Sequence, residues 1–212
     1  CVIVAITDSD ARVDGRGLAM LRAAGVDVTT GVCENAARAD HAGFLTRIEQ
    51  GRPTLTLKLA QSFDGRIATG TRIVVSRRLD LPLMGKLARS ASDIPLILCH
   101  GRDADPTLIR TWRDLGATLL ACAVRGGQLD PVDILQQLGK HGLTCIFCEG
   151  GGALAASLLG ADLVDTLVGF TAGVMIGAEG LPGIGAMGLS HLSAAPRFTL
   201  QSIQAIGPDV LH

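Results

Sequence analysis

Net charge is almost absent from this chain: 19 lysines and arginines stand against 20 aspartates and glutamates in 212 residues, a formal balance of -1. Such a sequence has no electrostatic means of gathering nucleic acid or an anionic membrane, so neither partner is expected. Positive potential must be local, placed where a phosphate binds. Long hydrophobic runs are missing as well. None approaches the roughly 18 residues that a membrane span needs. The apolar start at residues 1–6 has no basic segment and meets Thr7-Asp8 at once, which is not the pattern of a signal peptide. It reads as a buried strand that begins abruptly. Cysteines at 1, 33, 99, 122, 145 and 148 show no framework spacing. They read as small buried hydrophobes of a reducing compartment, and the expected location is cytoplasmic. Cys145 and Cys148 do match C-x-x-C, but in a strand residues i and i+3 face opposite ways, so buried core is expected rather than a redox or metal pair. The histidines at 41, 100, 141, 191 and 212 form no ligand-spaced cluster, and no metal site is expected.

What is present is apolar material, 48% of the residues, enough for one sizeable core or for one domain plus part of another. Short apolar runs alternate with amphipathic, Ala/Leu-rich segments. Strands are expected at 2–6, 54–60, 72–76, 94–99, 117–122, 144–148, 164–172, 197–206 and 209–212, with a short one between the first two helices. Helices are expected at 16–24, 34–49, 106–115, 131–141 and 152–160. Asp105-Pro106 and Asp130-Pro131 each place a capping carboxylate before a proline at the first helical position, and Gly116 and Gly142 stand where helices end. Strand-helix alternation predicts an α/β layered domain with a largely parallel sheet. Only Gly207-Pro208 separates the last two strands, so the sheet is expected to end antiparallel. A domain boundary is expected near Gly51-Arg52-Pro53, because residues 1–50 are too few to bury a core alone and read as the tail of a domain. The run at 54–60 continues through residues 61–68, and only Thr69-Gly70-Thr71 then precede the strand at 72–76. Parallel neighbours need a crossover of a dozen or more residues, so a segment is expected to be missing near 69–71.

Three stretches carry chemistry. Cys145-Ile146-Phe147-Cys148-Glu149-Gly150-Gly151-Gly152 is an apolar strand ending in a carboxylate, and its glycines lead straight into a helix. Free backbone N–H groups and the positive helix end make such a turn a phosphate site, although it lacks the G-x-G-x-x-G spacing and is also compatible with a bare strand-helix connection. In Leu57-Lys58-Leu59, a lone lysine is costly to bury unless it meets an anion, and otherwise marks an edge strand. Lys58 and Glu149 either pair structurally or face a shared cleft. Arg72-Ile73-Val74-Val75-Ser76-Arg77-Arg78 ends a strand with groups suited to a cofactor phosphate, because ligands of open α/β sheets bind beyond the carboxyl ends of strands. Solvated loop arginines are the plainer alternative. The glycine-rich stretch 173–188 reads as a mobile loop with no assigned chemistry.

Taken in order, Leu57-Lys58-Leu59-Ala60 with Ser62 and Asp64-Gly65-Arg66, Arg72-Ile73-Val74-Val75, Glu149-Gly150-Gly151 with Leu154, Leu163-Val164-Asp165 and Gly207-Pro208-Asp209-Val210 resemble the reductase half of the bifunctional riboflavin deaminase-reductase family. Asp14-Gly15-Arg16-Gly17, Ala24-Gly25-Val26-Asp27-Val28 and Gly43-Phe44-Leu45 resemble the end of its zinc deaminase domain. The resemblance implies a dihydrofolate-reductase-like, mostly parallel sheet with flanking helices over residues 51–212. Ahead of it, residues 1–50 would be the remnant of a cytidine-deaminase-like domain and a linker helix. It implies NADPH-dependent reduction of 5-amino-6-(5-phosphoribosylamino)uracil at ribose C1, and a homodimer. By the same resemblance Lys58 and Glu149 bind substrate. Ala60 and the turn of Gly151, Gly152, Ala153, Leu154, Ala155, Ala156 and Ser157 contact NADPH; Ser76 and Arg77 are added as cofactor-binding candidates from their place at the strand end alone. No acid or base is assigned. The family's zinc ligands, His-x-Glu and Pro-Cys with a second Cys, are not in these residues, so zinc belongs only to a deaminase part not present in this sequence. Its Trp-Ile-Thr and Asp-Asp-Pro motifs, which would fall at 69–71, are not here either. Two other functions remain compatible: another dihydrofolate-reductase-like oxidoreductase of pterins or pyrimidines, and a non-catalytic nucleotide-binding relic.

Overall fold

The computed structural model describes residues 1–59, 71–174, 180–207 and 209–212. Expectations that fall on 60–70, including Ala60, Ser62, Arg66 and the segment thought missing near 69–71, lie outside the described residues. The chain divides into two compact units, residues 1–55 with 138–146 and residues 56–137 with 147–212.

In the first unit β1 (Val2–Val4) pairs in parallel with β2 (Val28–Thr30), and α1 (Arg16–Ala23) connects them. The strand is not buried as expected: Ile3 is 65% exposed, because β2 is its sole sheet partner among the described residues. The helix expected at 34–49 is two helices, α2 (Glu34–Asp40) and α3 (Ala42–Gln50), broken at His41. Gly43 accompanies the break. A Cβ there would stand 3.0 Å from the Thr144 carbonyl, so α3 packs on the chain too closely for a side chain. No helical periodicity announces such a contact.

The second unit holds most of the sheet structure. β4 (Arg72–Val75), β5 (Leu96–Gly101) and β6 (Thr118–Cys122) form a parallel three-stranded sheet. Its central strand is buried at every position, as a parallel strand covered on both faces must be. The one-turn α4 (Lys86–Arg89) and α5 (Pro106–Asp114) surround a core built on Leu98 and the fully buried Trp112. The capping signals hold. Asp105 accepts from the Thr107 N–H at 2.7 Å, Asp130 accepts from the Val132 N–H at 3.0 Å ahead of α6 (Pro131–Lys140), and Gly116 takes φ +97°. Two short elements were not expected. Helix α4 ends under Arg72, whose guanidinium donates to the carbonyls of Ser90 and Ile94 at 2.8 Å. The hairpin β7 (Val124–Arg125) and β8 (Gln128–Leu129) turns on Gly126 and Gly127, at φ +58° and +81°.

A second sheet runs in the order β11 (Gln204–Ile206), β12 (Asp209–Leu211), β10 (Thr166–Thr171), β3 (Thr54–Leu59) and β9 (Cys145–Cys148). β3 and β10 are parallel, while β12 is antiparallel to both β10 and β11, so this sheet ends antiparallel as expected. Residues 197–203 do not extend β11; they form no strand and leave Phe198, Leu200 and Ile203 exposed. β3 and β4 are not neighbours in either sheet, so the short connection between them does not join paired parallel strands. Helix α7 (Gly152–Gly160) covers one face, where Leu57, Ala155 and Leu159 form the core.

Candidate functional site

Period-two alternation places the charged residues. In β3, Leu55 and Leu57 are buried, so Lys58 must point to the opposite face. In β9, Cys145 and Phe147 are exposed while Ile146 and Cys148 are half-buried, so the strand ends with Glu149 on the Phe147 side. β3 and β9 are adjacent, and the two charges meet: Lys58 Nζ donates to Glu149 Oε1 at 2.6 Å. The lysine side chain is 18% exposed and the glutamate 39%, so the pair sits at the surface of the sheet with access from solvent. The anion that Lys58 requires is therefore Glu149. The sequence did not flag the surroundings of the ammonium. Its Nζ lies 5.9 Å from the centroid of the Phe147 ring and 5.4 Å from that of Phe170 on β10. Phe147 is two residues before Glu149, and Phe170 is two beyond Val168, the register partner of Lys58. Alternation alone was enough to find Phe147; Phe170 also needs the register of β10 on β3.

The glycine turn follows immediately. Gly151 caps α7 in an extended conformation, with no side chain bonded to the helix end. A Cβ on Gly151 would meet nothing, whereas one on Gly152 would stand 2.6 Å from the Pro182 carbonyl. The Gly185 N–H donates to the Gly152 carbonyl at 2.8 Å, tying residues 182–185 to the start of the helix. Open backbone, with first-turn N–H groups that have no partner among the described residues, fits an anionic phosphate. The expected contacts at 151–157 separate into two kinds. Gly151, Gly152, Ala153 and Leu154 supply first-turn N–H groups. The Ala155 N–H bonds to the Gly151 carbonyl at 3.1 Å, Ala155 and Ala156 turn their methyls into buried space, and Ser157 Oγ donates to the Ala153 carbonyl.

Ser76 and Arg77 leave the end of β4, in the other sheet, and have different partners. The Ser76 N–H donates to the Cys99 carbonyl at 3.0 Å. Arg77 donates to Asp103 Oδ2 at 2.6 Å and to the Gly127 carbonyl at 2.8 Å, tying the ends of β4 and β5 to the β7–β8 hairpin. The hydrogen bond from Arg77 holds the Asp103 carboxyl below its ordinary range. Arg77 is thus fixed by protein groups rather than waiting free for a ligand, and Arg78 beside it is exposed.

The cysteine expectation needs correction. Only Cys99 and Cys122 are buried; Cys1, Cys33 and Cys145 are exposed and Cys148 is half-buried, and all six are free. Cys145 is exposed because its face of β9 is the open one. Burial pushes the Cys148 thiol up, and a hydrogen bond with Cys122 does the same to Cys99, so neither is poised as a thiolate. Among the described residues no cluster of three metal-ligating side chains occurs, and no helix is long and apolar enough to cross a membrane.

Comparison with known proteins bears on the family and the fold. The family model of the RibD C-terminal domain matches residues 69–212. The chain is 28% identical over 269 residues to riboflavin biosynthesis protein RibD of Escherichia coli (strain K12), covering 100% of this chain and 73% of that protein. The RibD of Actinobacillus pleuropneumoniae is 26% identical over 261 residues, covering 99% and 69%. Both aligned stretches are longer than the chain, so these relatives hold residues with no counterpart in it. Among solved structures, Acinetobacter baumannii RibD, form 2, superposes with a TM-score of 0.77 at 21% identity over 99% of this chain and 70% of that one. The diaminohydroxyphosphoribosylaminopyrimidine deaminase/5-amino-6-(5-phosphoribosylamino)uracil reductase of Thermotoga maritima gives a TM-score of 0.70 at 19% identity, with 99% and 70% covered. The fold is theirs.

The two glycines of the turn differ sharply in the room around them, which gives a direct check. Gly152→Ala forces backbone against backbone and is expected to cost about 1–3 kcal/mol of stability. Gly151→Ala, with open space and a permitted backbone conformation, is expected to stay within about 0.5 kcal/mol of the parent. Thermal unfolding of the two variants measures both; equal losses would mean that residues 182–185 do not press on the helix end.

Proposed function

The chain belongs to the RibD C-terminal domain family, and on that premise we propose that the Lys58–Glu149 pair and the Gly150-Gly151-Gly152 turn are the two halves of its reductase site. The activity is the pyrimidine reduction of riboflavin biosynthesis, with a small phosphoribosylamino-pyrimidine, 5-amino-6-(5-phosphoribosylamino)uracil, as substrate. Residues 51–212 constitute the reductase domain in this reading, and residues 1–50 the tail of a deaminase-like domain. One observation carries the site assignment: a 2.6 Å ion pair stands at the sheet surface, three residues or fewer from an uncapped helix start.

NADPH, when bound, supplies hydride from the nicotinamide to C1 of the ribose. The protein binds and aligns. First-turn N–H groups of Gly151, Gly152, Ala153 and Leu154 hold cofactor phosphate, where the helix dipole also favours negative charge. Lys58 donates to a ribose hydroxyl or phosphate, and Glu149 accepts from a second hydroxyl. Holding the sugar at two points sets C1 against the nicotinamide, which lowers the barrier by orientation. Ser76 and Arg77 border the cofactor at the end of β4. Asp103 fixes Arg77, and Arg78 is the exposed cation for a 2′-phosphate.

Calorimetry with the two nicotinamide cofactors tests the cofactor half. NADPH is expected to bind more tightly than NADH, and Gly151→Asp, which sets a carboxylate among the phosphate donors, is expected to weaken NADPH binding at least tenfold. Equal affinities, or undiminished binding by the variant, would remove the assignment.

The same reading includes a homodimer formed through the reductase domain. Exposed Phe198, Leu200, Ile203 and Ile206, running up to β12, supply apolar surface that a two-fold partner would cover. Light scattering at micromolar concentration is expected to give twice the chain mass; a monomeric mass would refute it.

A further inference from the structure

We infer that Phe147 and Phe170 are positioning residues for the reaction, two aromatic walls that hold the Lys58 ammonium in place while Glu149 turns to the substrate. The inference rests on the assignment of Lys58 and Glu149 to substrate binding. The two charges satisfy one another at 2.6 Å. A ribose hydroxyl that donates to Glu149 Oε1 competes there with the hydrogen bond that Oε1 accepts from Lys58 Nζ. Binding therefore loosens the pair, and a lysine that is only 18% exposed would be left with poor solvation at the moment its position matters. The two rings answer that difficulty. Each presents its negative face to the ammonium, at 5.9 Å from the Phe147 centroid and 5.4 Å from that of Phe170, within the range of cation–π attraction.

The arrangement is built into the sheet. β3 runs between β9 and β10, so each neighbour brings one ring to the face on which Lys58 stands. Neither ring is there for the core. Phe147 is 59% exposed and Phe170 38%, and the core of this sheet lies on the other face with Leu57, Ala155 and Leu159. Aromatic rings also accept hydrogen bonds weakly, so they attract the charge without consuming the N–H groups that a hydroxyl or phosphate needs. A carboxylate in either place would hold Lys58 as firmly but compete with the substrate for it.

A double-mutant cycle tests this. Phe147→Leu and Phe170→Leu are made singly and together, with Lys58 intact and in the Lys58→Met background. NADPH-dependent reduction is measured alongside melting temperature and calorimetric affinity for the pyrimidine substrate. With Lys58 present, each leucine is expected to lower kcat/KM about threefold and the pair about tenfold, the size of cation–π contacts at partly exposed sites. The loss should fall mainly on kcat, because alignment counts most in the transition state. In the Lys58→Met background the same changes should do nothing further, and Phe147→Trp should retain activity. Equal losses in both backgrounds would overturn the inference while leaving the site assignment standing, since the rings would then act as apolar walls independent of the charge. Full activity of Lys58→Met alone would overturn the site assignment, and the inference with it.

Discussion

A lysine set between two leucines in an apolar strand must find an anion on its own face of the sheet. In this fold it finds one 91 positions away in sequence, at the end of the neighbouring strand. That single contact accounts for much of the site. It needs β3 beside β9, it needs both strands in a register that turns Lys58 and Glu149 the same way, and it leaves the opposite face of β3 free to bury Leu55 and Leu57. The cost of desolvating a charge, several kcal/mol for an unpaired one, makes other registers of the two strands poor competitors.

The second constraint is the short path from carboxylate to helix. Glu149 directly follows β9, and α7 starts at Gly152. Three residues span at most about 10 Å, so whatever Glu149 touches lies close to whatever anion sits on the helix end. Gly151 leaves the space beside it open, Gly150 makes room for the Leu154 side chain, and Gly152 lets residues 182–185 lie against the helix start. In the proposed site, one strand-turn-helix segment carries both the Glu149 carboxylate and the glycine turn, and β3 brings Lys58 to it. Ser76 and Arg77 belong to the other sheet. Arg77 is held by Asp103 and the Gly127 carbonyl, contacts that fix the guanidinium.

Much of this was legible in the residues. Proline after a capping aspartate marked the starts of α5 and α6, and the unpartnered charge of Lys58 marked a need for an anion. The family resemblance then supplied the chemistry that physics left open. What failed did so for definite reasons. The apolar run at 197–206 looked like a strand, but hydrophobicity does not supply a neighbour to pair with, and only 204–206 has one. The segment 34–49 is helical in propensity throughout, yet the close approach at Gly43 is a tertiary fact with no local signature. The cysteines were read as buried from residue type, while exposure is set by which face of β9 is covered. Two signals were present and passed over: the Gly126-Gly127 pair of a tight hairpin, and the alternation that puts Phe147 beside Glu149.

The central claim is that Lys58 and Glu149 act on the substrate rather than merely on each other. The measurement that decides it pairs NADPH oxidation with thermal unfolding for Lys58→Met and Glu149→Gln. The account predicts a fall in kcat/KM of at least a hundredfold for each variant, with kcat lowered as well as KM raised, and a melting temperature close to that of the parent. Full activity with a lowered melting temperature would show the pair to be a structural ion pair and would contradict the account.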